Sequence, residues 1–337
     1  MIFITGGTGL VGSHLLIRLL QSGQSVKALC RPESDLGKVS ALFESYGPET
    51  GALFPKIKWV EGDLNDLPSL IHAFEEVTEV YHCAALISFD PKDRELLHNI
   101  NHTGTQNIVN LCLKKEVRRL YYCSSIATIG GIKSPITEND LWDFSGSNVY
   151  ATSKHLAEME VWRGGQEGLE TVIVNPGVIF GPGFWNQGSG VFFTAVASGL
   201  KYALPGSTGF VGVWDVVKSF EAIADKERFN QRFILVAENL KYSEVLSQIA
   251  DVLNVPGPKK QLKQWQLECL WRLDWLRATL TRGPRKLSRA TARNLRIPRV
   301  YSADKVEDLT GLQFQPIADV IRRCGDHYTK NGKGTQS

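Results

Sequence analysis

The chain has 337 residues, 43% hydrophobic and 22% charged, with a formal net charge of +3. That length is too great for one small core and suits two lobes of unequal size, while a charge so close to balance excludes nucleic acid as a global partner. Six cysteines, Cys30, Cys83, Cys112, Cys123, Cys269 and Cys324, stand mostly in apolar runs without CxxC or metal-ligand spacing, so reduced core thiols and no metal site are expected.

At the start of the chain the apolar run Ile2-Phe3-Ile4-Thr5 stops at three spaced glycines, and an amphipathic stretch with Val11, Leu15, Leu16, Leu19 and Leu20 follows. This reads as strand, phosphate loop and helix. Gly6 permits a tight turn, Gly9 lets the backbone approach a pyrophosphate, and Gly12 lets the helix pack closely, so a dinucleotide site is expected here. Strands are expected over 26–31, 57–60, 80–84, 120–124 and 171–174, separated by helices over 36–46, 67–74, 94–113 and 150–162. The strands are continuously apolar, as strands covered on both faces must be, so the expected fold is α/β with a doubly wound parallel sheet. Residues 48–55 read as a surface loop, and the glycine- and aromatic-rich 181–188 as either a ligand-wrapping loop or a linker.

Further on, a helix over 191–199, a helix N-capped by Asp215, a strand over 233–236 and a helix over 242–253 are expected, and the last hundred residues read as helical. The expected division is a nucleotide-binding domain over 1–177, completed by a strand and helix within 211–237, a smaller, mostly helical substrate domain over 178–330, and a flexible tail over 331–337. With a strand beginning at Ile2 and no apolar run near the ~20 residues of a membrane span, the expected location is cytoplasmic.

Tyr150 and Lys154 stand one helical turn apart on one face. A phenol of ordinary pKa ~10 serves as acid or base near neutrality only when its surroundings perturb it, and a nearby cation does so. Ser124-Ser125 close the fifth strand, at the carboxyl edge where a doubly wound sheet binds its ligands. Together with the glycine loop, these residues resemble the extended short-chain dehydrogenase/reductases, a superfamily on the Rossmann fold that includes nucleotide-sugar epimerases, dihydroflavonol reductases and 3β-hydroxysteroid dehydrogenases. Thr5-Gly6-Gly7-Thr8-Gly9-Leu10-Val11-Gly12 resembles its TGGTGxxG loop, Gly62-Asp63-Leu64 its adenine contact, His82-Cys83-Ala84-Ala85 its HxAA segment, and Asn101-His102-Thr103-Gly104-Thr105 its NxxGT helix. Tyr150 and Lys154 resemble its YxxxK pair. Residues 175–182 are similar to its RPxxxxGP segment, with Asn175 in place of arginine.

The resemblance implies Tyr150 as acid/base, Lys154 holding the nicotinamide ribose and lowering the tyrosine pKa, Ser125 bonding the reacting oxygen with Ser124 as the fallback, and Asn101 fixing the helix. It implies cofactor contacts at Gly6, Thr8, Gly9, Leu10, Val11, Gly12, Asp63, Leu64, Ala84, Ala85, Tyr150, Lys154, Pro176, Gly177 and Val178. The second strand ends at Cys30-Arg31, without a carboxylate at the position where one would accept from an adenine ribose hydroxyl. Arg31 and Lys38 stand there instead, so NADP is the expected cofactor and NAD the alternative. The expected substrate is an apolar ketone or alcohol in a hydride transfer. The alternatives are a nucleotide-linked sugar undergoing epimerisation with tightly bound NAD, and a non-catalytic NADP sensor.

The basic, tryptophan-bearing segment 263–299 has three readings: a lid whose apolar face closes the substrate pocket, which is the expectation; a peripheral contact with anionic membrane; or a charged face over a second-domain core. Pairing into a homodimer stays open.

Overall fold

Seven apolar runs become the strands of one parallel sheet in the computed structural model, which describes residues 1–131, 134–143, 147–281, 283, 285 and 287–331. In chain order the strands of the molecule are β1 (Ile2–Thr5), β2 (Val26–Cys30), β3 (Lys58–Glu61), β4 (Glu79–His82), β5 (Arg119–Cys123), β6 (Glu170–Pro176), β7 (Val178–Phe180), β8 (Tyr202–Ala203), β9 (Ser207–Gly212), β10 (Gln231–Leu235), β11 (Glu238–Lys241) and β12 (Lys260–Gln261). The large sheet runs β3-β2-β1-β4-β5-β6-β10. Its winding reverses between β1 and β4, and the loops leaving those two strands diverge to open a crevice at their carboxyl ends.

Both faces of the sheet are covered, which is why its strands lack polar alternation. On one face Leu15, Leu19, Val216 and Phe220 belong to a core that includes Ile4, Tyr121 and Val174. On the other, Ile108, Val109, Ala157 and Val161 pack with Phe3, Leu120 and Ile173. Each fully buried leucine, isoleucine or valine among them stabilises the fold by about 1.5–3 kcal/mol. A third core gathers Phe180, Phe193, Phe210, Ile249 and Ile321 around the three-stranded sheet β11-β9-β7 in the smaller half. The two halves meet closely, since a Cβ at Gly177 would lie 2.4 Å from the Gly209 carbonyl oxygen.

Several expectations need correction. Residues 48–55 are not a plain loop: Pro48–Gly51 is a helical turn begun by a proline in its first turn, and Leu53 and Phe54 pack on the core. Helix 94–113 contains a π segment, His98–Thr103, between Arg94–Leu97 and Gly104–Lys114. Asp215 is not an N-cap; that position is Gly212, and the buried Asp215 carboxylate accepts from the Gln315 backbone N–H at 3.1 Å and its side-chain amide at 2.9 Å. Within the last hundred residues β11 pairs antiparallel with β9, a polar strand that a search for apolar runs overlooks. Cys269 is exposed, not a core thiol. Asn331 ends the helix Ile317–Asn331, and the rest of the expected tail lies outside the described residues. No helix among the described residues is long and apolar enough to cross a membrane.

Candidate active site

One cavity of about 1350 Å³ follows the carboxyl edge of the large sheet into the smaller half. That volume exceeds what a single drug-sized ligand fills and suits a dinucleotide with a second molecule beside it. Its wall includes Gly6, Thr8, Gly9, Leu10, Val11 and Gly12, then Arg31, Asp63, Leu64, Ala84 and Ala85, then Ser125, Tyr150, Lys154, Pro176, Gly177 and Val178. Lys38 and Asn101 are the two expected site residues that do not line it.

The three glycines have different causes. Gly6 has φ +74°, and a Cβ there would sit 2.6 Å from the Ala84 nitrogen; at Gly12 it would sit 2.2 Å from the Gly6 oxygen. Packing explains both. Gly9 is an extended helix N-cap with φ −104°, and a Cβ there would meet only the Gly6 oxygen at 3.4 Å, an ordinary contact. Neither backbone nor packing requires glycine at position 9. A ligand drawn against the helix N-terminus would require it, and the loop fits a dinucleotide pyrophosphate.

Under the loop, neutral residues fix the two diverging segments. Thr105 donates to the Asn101 carbonyl at 2.5 Å, which leaves its oxygen to accept from His82 Nε2 at 2.9 Å. His82 Nδ1 then accepts from Thr5 Oγ1 at 2.6 Å, and the Ala84 N–H reaches the same threonine oxygen at 3.3 Å. Burial first, and Lys154 second, push the His82 pKa down to about 3, so the imidazole stays neutral and holds this tautomer.

Tyr150 and Lys154 project from the helix Val149–Gln166, whose N-cap Asn148 accepts from the Ala151 N–H at 2.8 Å. The Lys154 ammonium is buried, donates to the Cys123 carbonyl at 2.8 Å and lies 4.2 Å from the Tyr122 ring centroid. Burial pushes its pKa down to about 8, opposed by Cys123 and Glu158. Tyr150 is pushed above the usual phenol range by burial and by Cys123, while the Ser125 hydroxyl pulls the other way. The expected lowering by Lys154 is therefore not what this site displays: desolvation dominates, the ammonium is engaged by the Cys123 carbonyl, and the tyrosine is held as a neutral phenol.

The choice between the serines is visible in their partners. Ser124 donates to Glu158 Oε2 at 2.6 Å, inside a buried network in which Thr128 and Asn175 donate to the same oxygen at 2.7 and 2.9 Å and Arg232 pairs with Oε1 at 3.2 Å. Ser125 lines the cavity with Tyr150, and its hydroxyl accepts only from the Ala127 N–H at 3.1 Å among the described residues. Sequence reasoning missed Glu158 and Arg232, although Glu158 stands one turn beyond Lys154. Asn175, which stands where the resembling segment has arginine, donates to the carboxylate, and Arg232 of neighbouring β10 pairs with it.

Asn101 lies behind the wall. Its side chain accepts from the Leu86 N–H at 2.7 Å and donates to the Leu86 carbonyl at 3.0 Å and to Ser153 at 2.9 Å, tying the loop after β4 to the Tyr150 helix. Arg31 is exposed and pairs with Glu33 at 3.1 Å, whereas the Lys38 ammonium sits 5.0 Å from the Phe184 ring centroid. Phe184 and Gly188 put the 181–188 segment on the wall.

The far wall is largely aliphatic, with Leu200, Leu246, Leu262, Leu270, Leu295 and Ile297, and carries Lys201, Thr291, Asn294 and Arg299 among them. Segment 263–299 thus contributes Leu270 and residues beyond 286, but its tryptophans do not close the cavity. Trp271 donates to Glu268 at 2.9 Å beneath Arg272, and Trp275 is exposed.

Residues 2–228 match the NAD dependent epimerase/dehydratase family. A Synechocystis sp. protein provisionally named a dihydroflavonol 4-reductase is 30% identical over 301 residues, covering 84% of this chain and 81% of that one. Sterol demethylase protein B of Methylococcus capsulatus is 29% identical over 263 residues, with 76% and 75% covered. In three dimensions the chain superposes on UDP-glucose 4-epimerase from Bifidobacterium longum, a complex with NAD+ and UDP, with TM-score 0.75, 19% identity and 99% of each chain covered, a likeness of fold alone.

Proposed function

The chain belongs to the NAD dependent epimerase/dehydratase family, and from that premise we propose that it reduces a carbonyl, or oxidises the matching secondary alcohol, on a largely apolar molecule with NADP as cofactor. The observation that carries this reading is the single cavity in which Tyr150 and Lys154 stand between the glycine loop and an aliphatic wall. Residues 1–177 with 211–237 would hold the cofactor, and residues 178–330 the substrate.

Backbone N–H groups after Gly9 would face the pyrophosphate, and Lys154 the ribose. The bound nicotinamide supplies the hydride. Ser125 and Tyr150 present two hydroxyls to the substrate oxygen, and Tyr150 gives its proton to that oxygen as negative charge develops on it. Glu158 keeps Ser124 out of the reaction and the end of β5 in place. Arg31, with no carboxylate at the end of β2 to receive a ribose hydroxyl, supports NADP over NAD.

Epimerisation of a nucleotide-linked sugar is the second reading, favoured by Lys201 and Arg299 on the wall, cations that a diphosphate would need. Following NADPH oxidation by the purified protein against hydrophobic ketones and aldehydes, beside nucleotide sugars, separates the two. Turnover with apolar carbonyls is expected. Conversion of nucleotide sugars with no net change in a co-purified cofactor contradicts the first reading.

A further inference from the structure

Helix Gln264–Thr281 uses only one of its faces within the fold. Leu267 and Ala278 are buried, while Trp265, Cys269, Leu273, Leu276 and Leu280 recur at spacings of four, four, three and four residues and so form one row along the helix. That row faces outward: Trp265 is 63% exposed, Leu273 61%, Leu276 47% and Leu280 75%. A solvated surface helix carries polar side chains at such positions, so an aliphatic row there implies something that covers it.

Charge says what. Residues 259–299 hold twelve Lys and Arg against Glu268 and Asp274, so with the chain at +3 the remainder is net −7. Both acids are engaged by arginines, Glu268 by Arg272 and Arg296, and Asp274 by Arg277 at 2.9 Å. Lys259, Lys260, Lys263, Arg289 and Arg293 are exposed around them.

We propose that this face docks on an anionic lipid surface, with Trp265 and the leucine row in the headgroup boundary and the basic side chains on acidic headgroups. A second copy of the chain is a poor occupant, because a two-fold dimer would set this cationic patch against itself. Nucleic acid would satisfy the arginines but offers no apolar bed for three leucines. Leu270, one turn before Leu273, lines the cavity, so the docked row adjoins the aliphatic wall. This placement suits a substrate held in lipid, a consequence that rests on the proposed reaction; the docking itself does not.

The test is sedimentation of the full chain with vesicles of phosphatidylcholine alone or mixed with phosphatidylglycerol, for the native protein, the triple variant Leu273→Ser/Leu276→Ser/Leu280→Ser, and the double variant Arg289→Glu/Arg293→Glu. The native protein is expected to bind the mixed vesicles and not the neutral ones, and to be released by salt. Each variant is expected to bind at least about tenfold more weakly, with thermal midpoint and NADPH affinity unchanged. Three results overturn the proposal: no binding to mixed vesicles at low salt, undiminished binding by the leucine variant, or a solution dimer that the leucine variant turns into monomer. A failed reductase assay leaves all three readouts standing.

Discussion

Burial and Cys123 hold the proton on Tyr150, so in the proposed reaction it would meet its substrate as a neutral phenol. Tyr150→Phe removes that proton and little else, so kcat should fall by about 10²–10⁴-fold while cofactor affinity stays within about threefold, as fluorescence titration beside steady-state kinetics will report. Lys154 makes a separate prediction. Its folded-state pKa is depressed to about 8, so the cation is present below that pH and lost as pH rises through it. Cofactor affinity should decline on the alkaline side of about 8, and this limb should vanish in Lys154→Ala; a flat profile in the native protein would remove the lysine from cofactor binding. Arg31→Ala should weaken NADPH by about ten- to a hundredfold, the worth of one charge-assisted bond of roughly 1.5–3 kcal/mol, and leave NADH nearly unchanged. Equal losses would move the choice to NAD. The wall positions at Gly9, Tyr150 and Lys154 were legible because their spacing carries chemistry. Glu158 was not, since a single glutamate on a helix reads as surface until Ser124, Asn175 and Arg232 are seen to converge on it.

The glycine loop and its helix separate folding from binding within one element. Gly12→Ala forces a methyl to 2.2 Å from the Gly6 backbone oxygen. The strain of overpacking, about 1–3 kcal/mol, outweighs the roughly 1 kcal/mol that alanine gains over glycine inside a helix, so the variant should unfold at lower temperature. Gly9→Ala meets nothing closer than 3.4 Å. Its melting temperature should match the native protein within a degree or two in calorimetry, while dinucleotide affinity drops at least about tenfold, because the methyl occupies ligand space. A lowered melting temperature with unchanged affinity would reverse the assignment of Gly9. At this scale the parallel strands were legible from apolar runs, whereas ends and caps were not. Asp215 has the composition of an N-cap, yet its carboxylate is committed to Gln315, a hundred residues away in sequence, and no local pattern encodes that partner.

Across the whole molecule, one cavity joins two kinds of wall. The dinucleotide end was legible because it is built from short contiguous motifs at the carboxyl ends of successive strands. The aliphatic end was not: Leu200, Leu246, Leu262, Leu270 and Ile297 come from separate segments, and each alone is an ordinary apolar residue. The same holds for helix Gln264–Thr281, where the sequence supplied tryptophans and arginines, and only the fold decided that Leu273, Leu276 and Leu280 face out. The central claim is that hydride passes from the cofactor to an apolar carbonyl while Tyr150 supplies the proton. Deuterium placed on the transferable position of NADPH tests it most directly, with the product analysed by mass spectrometry. The account predicts one deuterium on the new carbinol carbon of the native enzyme's product and product from Tyr150→Phe only at a rate lower by about 10²–10⁴-fold; an unlabelled product, or labelled product from Tyr150→Phe at the native rate, would contradict it.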